Sequence, residues 1–546
     1  MYNYRTILAI FLSLLIIVIW QLLFDVFTNS KQYNTKNIEI YNYNTSTYKK
    51  KTINKNSILS RTKRVTFNNE YIKGSINLIG AKIDDLILLK YIKNIDSNKN
   101  IKLLSPARTY GVQYAEFGWV SNNSNIELPN SKTKWIANIQ HLTSKNKLNL
   151  TWKNSKDIKF NIKISLDNKY MFKIEQFIFN NQNTKITPFA LITRDDNNNG
   201  DNETFIHEGG IATFNNQLKE ISFKKLNSIK KVIYKNKNKG WIGFSNKYWL
   251  TSIIFQENSN NSFSSYRAYN VNKYQVDNIA EKKSCYRKIF FFSGAKKLNI
   301  FDFYSKKYKI ALFDHAIDFG KLYFITKPIF LLLNFFYSLL GNFGSAILLL
   351  TIIIKLILFP LAYKGFLNMN KFKKLQPSIL KLKQLYQKEK NQLQHATLAL
   401  YKKEKINPIS GCLPVFLQLL ISFALYKVLY ITIEMRQAPF FGWVKDLSMS
   451  DPSNIFTLFG LINWQPPSIL QLGILPIVMS ITIFLQQKFN FQTSDTTQTQ
   501  IAQILPFIFL FLFTSLPSGL LIYWSWSNIL TIIQQIIIQK LNNEYK

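Results

Sequence analysis

The amino-acid sequence predicts a helical membrane protein of six spans that carries one large all-β domain outside the membrane. Three observations predict it. Apolar runs long enough to cross a ~30 Å hydrocarbon core occupy the first two dozen residues and recur after about residue 325. The polar stretch between them, rich in Asn and Lys, alternates apolar and polar residues with the period of a strand. Lysines are shared unequally among the loops joining the late runs, which sets an orientation. The mean hydropathy of −0.05 and the 47% hydrophobic content would suit a soluble protein only because two unlike halves are averaged.

The first element is the run Ile7 to Phe24, preceded by Arg5 and followed by Asp25. It is longer than a signal-peptide core and no small-x-small cleavage site follows, so residues 1–27 read as an uncleaved transmembrane anchor with a cytoplasmic N-terminus. Residues 28–64, with runs such as YNYNTSTYKKKTINKNS, have the composition of a flexible tether. From 65 to 312 the signal is β. Ile158, Phe160, Ile162, Ile164 and Leu166 alternate with polar residues, Asp167-Asn168-Lys169 turns the chain, and Met171 to Ile174 begins a second strand. Some 250 residues of short strands make a large β-sandwich. The apolar stretch 319–340 is interrupted by Lys321, Lys327 and Pro328, which favours an amphipathic helix lying on the outer membrane surface.

Five further spans are expected at 343–363, 412–433, 469–489, 501–516 and 519–538. The loop 364–411 holds eleven Lys against Glu389 and Glu404, whereas the loop 434–468 holds Arg436 and Lys445 against Glu434, Asp446 and Asp451. The Lys-rich loop is therefore cytoplasmic. Both termini then lie inside and the β-domain outside, in agreement with Arg5 before the anchor. Within that loop Met369, Phe372, Leu375, Ile379, Leu382 and Tyr386 fall at helical spacing, as do Leu393, Ala396 and Leu400, so 364–411 reads as a helical hairpin ended by Pro408.

The formal charge of +39, from 69 Lys and Arg against 30 Asp and Glu, does not mark a nucleic-acid reader. The lysines are spread with Asn, Ile and Tyr, without a helix-turn-helix, zinc-ligand spacing or aromatic RNA-binding strand motif, so no direct DNA partner is expected. Attraction to anionic membrane lipids needs no such motif. Two cysteines, Cys285 and Cys412, cannot build a disulfide framework. No phosphate loop ending in Gly-Lys-Ser/Thr is present, and the four His (141, 207, 315 and 395) show no metal spacing. No catalytic residue, metal or cofactor is expected.

One residue stands against its surroundings. In LLLTIIIKLILFPL, Lys355 lies about ten residues from the outer end of its span, roughly 15 Å deep and near the midplane. A cation there costs ~2.5–3.5 kcal/mol on insertion scales, and the spans offer no Asp or Glu to pair with it. Lys355 should face protein or water, with Thr351 one turn away on the same face. Polar company within the spans comes from Gln418, Gln486-Gln487, Ser525, Ser527 and Asn528. Either a water-filled path or a neutral Lys bonded inside the bundle satisfies this position.

Several motifs in order then resemble a known family. They are Ala399 to Pro408 (ALYKKEKINP), Gly411-Cys412-Leu413-Pro414 with Gln418, Glu434 to Phe440 (EMRQAPF), Asp446-Leu447-Ser448, Asp451-Pro452, and Leu516 to Leu520 (LPSGL) with Tyr523. Together they closely resemble the Oxa1/Alb3/YidC family of membrane protein insertases, densely from about Gly320 to Leu541. The outer domain matches sparsely, at Gly240-Trp241 and Tyr248-Trp249, and its presence fits the long Gram-negative form. The resemblance implies a five-helix insertase core at 343–541, around a hydrophilic groove open to cytoplasm and lipid, and an outer β-supersandwich similar to galactose mutarotases. It implies an inner-membrane protein, its large domain periplasmic, that inserts nascent membrane proteins alone or with the Sec translocon, the ribosome meeting the hairpin and C-terminus. It places Lys355, Thr351, Gln418, Tyr523 and Trp524 in the groove. The family usually carries Arg where this chain has Lys355. A different reading, a membrane-anchored carbohydrate-binding protein working through its periplasmic β-domain, is separable by deleting residues 65–300.

Overall fold

A computed structural model describes residues 53–544 except 94, 96–98, 122–125, 180–185, 196–206, 237–238, 257–261, 271, 281–284, 321, 387–388, 405–407, 463, 465, 468–470 and 491–495. The anchor expected at 1–27, and the tether as far as residue 52, lie outside the described residues.

The pleat of the strand dictates the outer domain. In Lys159–Leu166 the alternate side chains Phe160, Ile162, Ile164 and Leu166 are buried. Asp167 Oδ1 accepts the N–H groups of Lys169 and Met171, both at 2.9 Å, and so closes a tight turn. The return strand Met171–Phe179 pairs Phe172 with Leu166 and Ile174 with Ile164. This hairpin sits in a nine-stranded sheet that runs, edge to edge, Gln217–Ser222, Gly209–Phe214, Gly240–Ser245, Trp249–Phe255, Tyr286–Ala295, Met171–Phe179, Lys159–Leu166, Leu148–Lys153 and Ile136–Ala137. A ten-stranded sheet faces it, ordered Lys231–Asn236, Ser262–Asn270, Lys273–Ala280, Ile186–Asp195, Gln113–Ser121, Lys82–Ile92, Ile72–Asn77, Arg64–Asn68 and His141–Leu142, with Asn100–Leu104 also on Lys82–Ile92. Aromatic edges close the sandwich between the sheets: Phe67 meets Phe172 at 5.2 Å and Phe117 meets Phe291 at 6.0 Å.

The helices are numbered along the chain as α1 (Lys55–Ser60), α2 (Phe223–Ile229), α3 (Leu298–Tyr308), α4 (Tyr323–Leu340), α5 (Phe343–Ile357), α6 (Phe359–Leu385), α7 (Lys390–Lys403), α8 (Pro408–Ile431), α9 (Ile474–Asn490), α10 (Thr496–Leu512) and α11 (Ser518–Glu544). The chain leaves the sandwich through α3 and Phe313, whose ring packs on Trp241, Phe292 and Phe301. Trp241 Nε1 fixes this exit by donating to the Ala311 carbonyl at 3.1 Å.

Among the described residues, α4 and Ser518–Leu541 are each long and apolar enough to cross a bilayer, and a third span follows if the bent pair Phe343–Ile357 and Phe359–Asn368 is one crossing. Leu420–Ile431, Ile474–Lys488 and Gln503–Leu512 are apolar but shorter. Where the sequence suggested one straight crossing at 343–363, the chain bends by 59°. Pro360 is the cause: without an N–H it cannot continue the ladder of α5, yet its fixed φ suits the first turn of a new helix. Pro408 likewise opens α8 rather than closing α7, which ends at Lys403.

Polar contacts hold the chain at both ends of α4. Near its start, Asp314 holds Lys327 at 2.8 Å and bonds Tyr323, while Asp318 accepts from Lys427 of α8 at 2.8 Å. At its end Gly341 adopts φ 68, and Asn342 both caps α5 and donates to the Pro439 carbonyl at 3.3 Å. Eighteen residues measure ~27 Å.

Candidate functional site

In a bundle interior that offers no water, each hydroxyl and amide must find a protein partner. Polar side chains at intervals of three or four on facing helices therefore join into a seam. On α11 the residues are Tyr523, Ser527, Thr531 and Gln534; on α8 they are Gln418 and Ser422; on α5 the residue is Lys355.

Lys355 is buried at 8% exposure, and its ammonium donates to Thr531 Oγ1 at 2.7 Å. Thr531 in turn donates to the Ser527 carbonyl at 2.8 Å. Ser527 Oγ accepts from Gln418 Nε2 at 3.4 Å, and the same amide reaches Ser422 Oγ at 3.3 Å. Ser422 Oγ lies 2.9 Å from the Tyr523 hydroxyl. The carbonyl of Lys355, at the bend where α5 loses its ladder, accepts Gln534 Nε2 at 3.0 Å. Among the described residues no carboxylate forms an ion pair with Lys355. Its charge meets only neutral dipoles, an arrangement that leaves it attractive to an incoming anion.

Of the five residues expected at the site, the structure joins Lys355, Gln418 and Tyr523 through Ser527, Ser422 and Thr531. Thr351 is one turn from Lys355 and buried, but its hydroxyl donates to the Ile347 carbonyl of its own helix at 2.7 Å. It adds bulk to the wall and no free donor, as threonine does in apolar helices. Trp524 is half-buried and turns away from the seam to pack on Phe513 at 5.0 Å. Thr531, Gln534 and Ser422 were not foreseen. Their signal was available: Ser527, Thr531 and Gln534 recur at i, i+4 and i+7, and Gln418 and Ser422 at i, i+4.

Chemically the seam is a solvating surface. Among the described residues no three His, Cys, Asp or Glu side chains gather as a metal site, and the seam holds hydroxyls, amides and one amine but no acid–base pair. It suits the accommodation of polar peptide or carboxylate groups.

Comparison with known proteins covers nearly the whole described chain. Residues 335–545 match the family model described as 60Kd inner membrane protein, and residues 64–332 match the YidC periplasmic domain model. Proteins called membrane protein insertase YidC from Rickettsia bellii (strain OSU 85-389) and Rickettsia prowazekii (strain Madrid E) are each 45% identical over 496 residues, 88% of this chain and 88% of theirs. Among solved structures, an active YidC insertase with its first transmembrane domain resolved is 17% identical, covering 87% of this chain and 92% of that one at a TM-score of 0.35. A galactose mutarotase related enzyme from Lactobacillus acidophilus is 9% identical, covering 42% and 97% at a TM-score of 0.30.

Proposed function

The chain belongs to the YidC family of membrane protein insertases, and from that premise we propose that it inserts nascent membrane proteins along the seam centred on Lys355. The observation that carries this reading is a buried cation whose ammonium, among the described residues, bonds a threonine hydroxyl, beside hydroxyls and amides of two facing helices. Lys355 attracts carboxylates of a substrate's hydrophilic tail and lowers their desolvation penalty, and the seam's dipoles replace water around the passing backbone. Tyr523 and Gln418 offer exchangeable hydrogen bonds, while Thr351 adds bulk to the wall of the path. The substrate's apolar segment meanwhile slides into lipid. At roughly 0.3–0.6 kcal/mol per strongly apolar residue, around 20 residues supply on the order of 5–10 kcal/mol, enough to carry a short tail without nucleotide hydrolysis. The family's members are named insertases rather than enzymes.

The protein resides in the inner membrane. In the orientation proposed, the β-domain is periplasmic, the Lys-rich hairpin α6–α7 and both termini are cytoplasmic, and α4 rests on the outer surface. The polar contacts at both ends of α4, and eleven Lys in 364–411, support this. A basic hairpin of that kind suits a translating ribosome, with the C-terminus beside it, and the Sec translocon is the partner for substrates with large outer domains. The carbohydrate-binding reading is not favoured, since the kinship runs through sandwich and core alike.

The test is complementation by Lys355→Ala and Lys355→Arg in cells depleted of their own insertase. Arg should restore insertion and Ala should not; equal activity of the two would remove the charge from the mechanism.

A further inference from the structure

Between α8 and α9, described residues of the loop 438–473 bond several of their polar groups within the loop, while Lys445 and Ser450 stay exposed. Asp446 accepts the N–H and hydroxyl of Ser448 at 2.8 and 2.7 Å. Asp451 accepts from Trp443 Nε1 at 3.0 Å, from the N–H and hydroxyl of Ser453 at 2.9 and 2.7 Å, and from the N–H of Leu475 at 2.7 Å. Asn454 caps the short turn Ile455–Gly460 through the N–H of Phe456 at 2.9 Å. Large apolar side chains share the outward side: Phe441, Trp443, Met449, Leu458, Leu461 and Trp464 are exposed, Leu461 at 86%. Polar groups satisfied within, and large apolar side chains displayed without, distinguish it from a water-facing loop.

The position of the loop says what covers it. The ring of Phe440 packs against Gly344 in the first turn of α5, so closely that a Cβ there would fall 1.9 Å from it. The carbonyl of Leu447 accepts the N–H of Gly519 at 3.0 Å, and that of Met449 accepts Ser518 at 2.7 Å, at the start of α11. Ser453 and Asp451 hold the first turn of α9. Three helix starts are thus pinned at one level. The Asn342–Pro439 contact joins the loop to the end of α4, where Phe335, Leu339 and Leu340 are also exposed. Exposed apolar side chains therefore flank this contact on both the α4 side and the loop side.

We infer that this loop seats in the outer leaflet of the bilayer, with Leu461 and Trp464 at the boundary of headgroups and acyl chains. Trp side chains favour that depth, where one end of the ring is wet and the other dry. The inference rests on the orientation proposed above. Its occupant is lipid, held by shape and hydrophobicity rather than by a specific headgroup, and it anchors the outer mouth of the seam against sideways force from a passing substrate.

The experiment uses the full chain without Cys285 and Cys412, carrying Leu461→Cys labelled with an environment-sensitive nitrobenzoxadiazole fluorophore, in vesicles of phosphatidylethanolamine and phosphatidylglycerol. Blue-shifted emission is expected, quenched several-fold more by lipids with a nitroxide near the headgroup than by aqueous iodide. Water-like emission quenched by iodide overturns the inference. So does protection from both quenchers that grows with the protein-to-lipid ratio, which would assign the surface to a second copy. Adding Phe441→Asp and Ile462→Asp, both exposed positions, should return the label to water. In intact cells, Lys445→Cys should react with a membrane-impermeant maleimide; its failure to do so would overturn the orientation itself, separately from the depth of residue 461.

Discussion

Lys355 and Thr531 form the contact from which the site's chemistry follows. A charged hydrogen bond contributes ~1.5–3 kcal/mol, and the hydroxyl at 2.7 Å is the ammonium's recorded partner. Thr531→Val keeps the shape and deletes the hydroxyl, so the amine is left buried without its acceptor. We expect a lower unfolding temperature in detergent and weaker complementation, with Thr531→Ser restoring both; a Val variant as active and as stable as the parent would detach Thr531 from the site. Lys355 itself was legible in the sequence, since a cation amid LLLTIIIKLILFPL contradicts its surroundings. Thr531 was not, because a lone threonine in an apolar run is ordinary, and only the packing of α11 on α5 makes it a partner. Thr351 shows the reverse failure. Its spacing from Lys355 was read correctly, but a hydroxyl in an apolar helix bonds first to its own backbone four residues earlier.

Elements with one period were legible; junctions were not. The hairpin 159–179 reads directly from alternation, because the pleat sends every second side chain into the core. The bend after α5 is harder, since Pro360 lies within an apolar run whose composition suits a single crossing. Near this bend Gln534 bonds the Lys355 carbonyl at 3.0 Å, whereas the N–H that Pro360 lacks would have met the Leu356 carbonyl. Gln534→Leu would leave that carbonyl unsatisfied, a penalty of ~1–3 kcal/mol. We expect it to lower the unfolding temperature in detergent. If Gln534→Leu is neutral by itself, the side chain does not support the bend.

At the scale of the whole molecule, the sandwich and helical core are held together by groups neither half would bury alone. Arg436 donates to the carbonyls of Ile92 and Lys93 at 2.7 and 2.8 Å, and Gln437 to that of Ile92 at 3.1 Å. Lys247 sits 3.8 Å over the Tyr430 ring, and Lys427 pairs with Asp318. No sequence pattern announces these contacts, for they pair residues far apart along the chain, those of Arg436 and Gln437 by more than 340 positions. Within this seam burial pushes the Glu434 carboxyl up to about 7, with Lys297 opposing, and burial brings the Lys296 amine down to about 8, against Asp318, Glu208 and Glu220. The two act in different windows. Below pH 8 Lys296 carries its charge penalty at every pH, so it adds no slope between pH 5 and 7. Glu434 has a bound-state pKa above the value of 4.5 it has when released, so protonation favours docking. Its penalty is absent at pH below 4.5, grows as pH rises, and is complete above about 7. Docking should therefore tighten as pH falls from 8 to 5, by on the order of 2 kcal/mol. Glu434→Gln should flatten that dependence. Protease protection of the domain junction, measured across this range in detergent, reads the equilibrium directly. A pH profile that Glu434→Gln leaves unchanged would assign the dependence to another group in the seam.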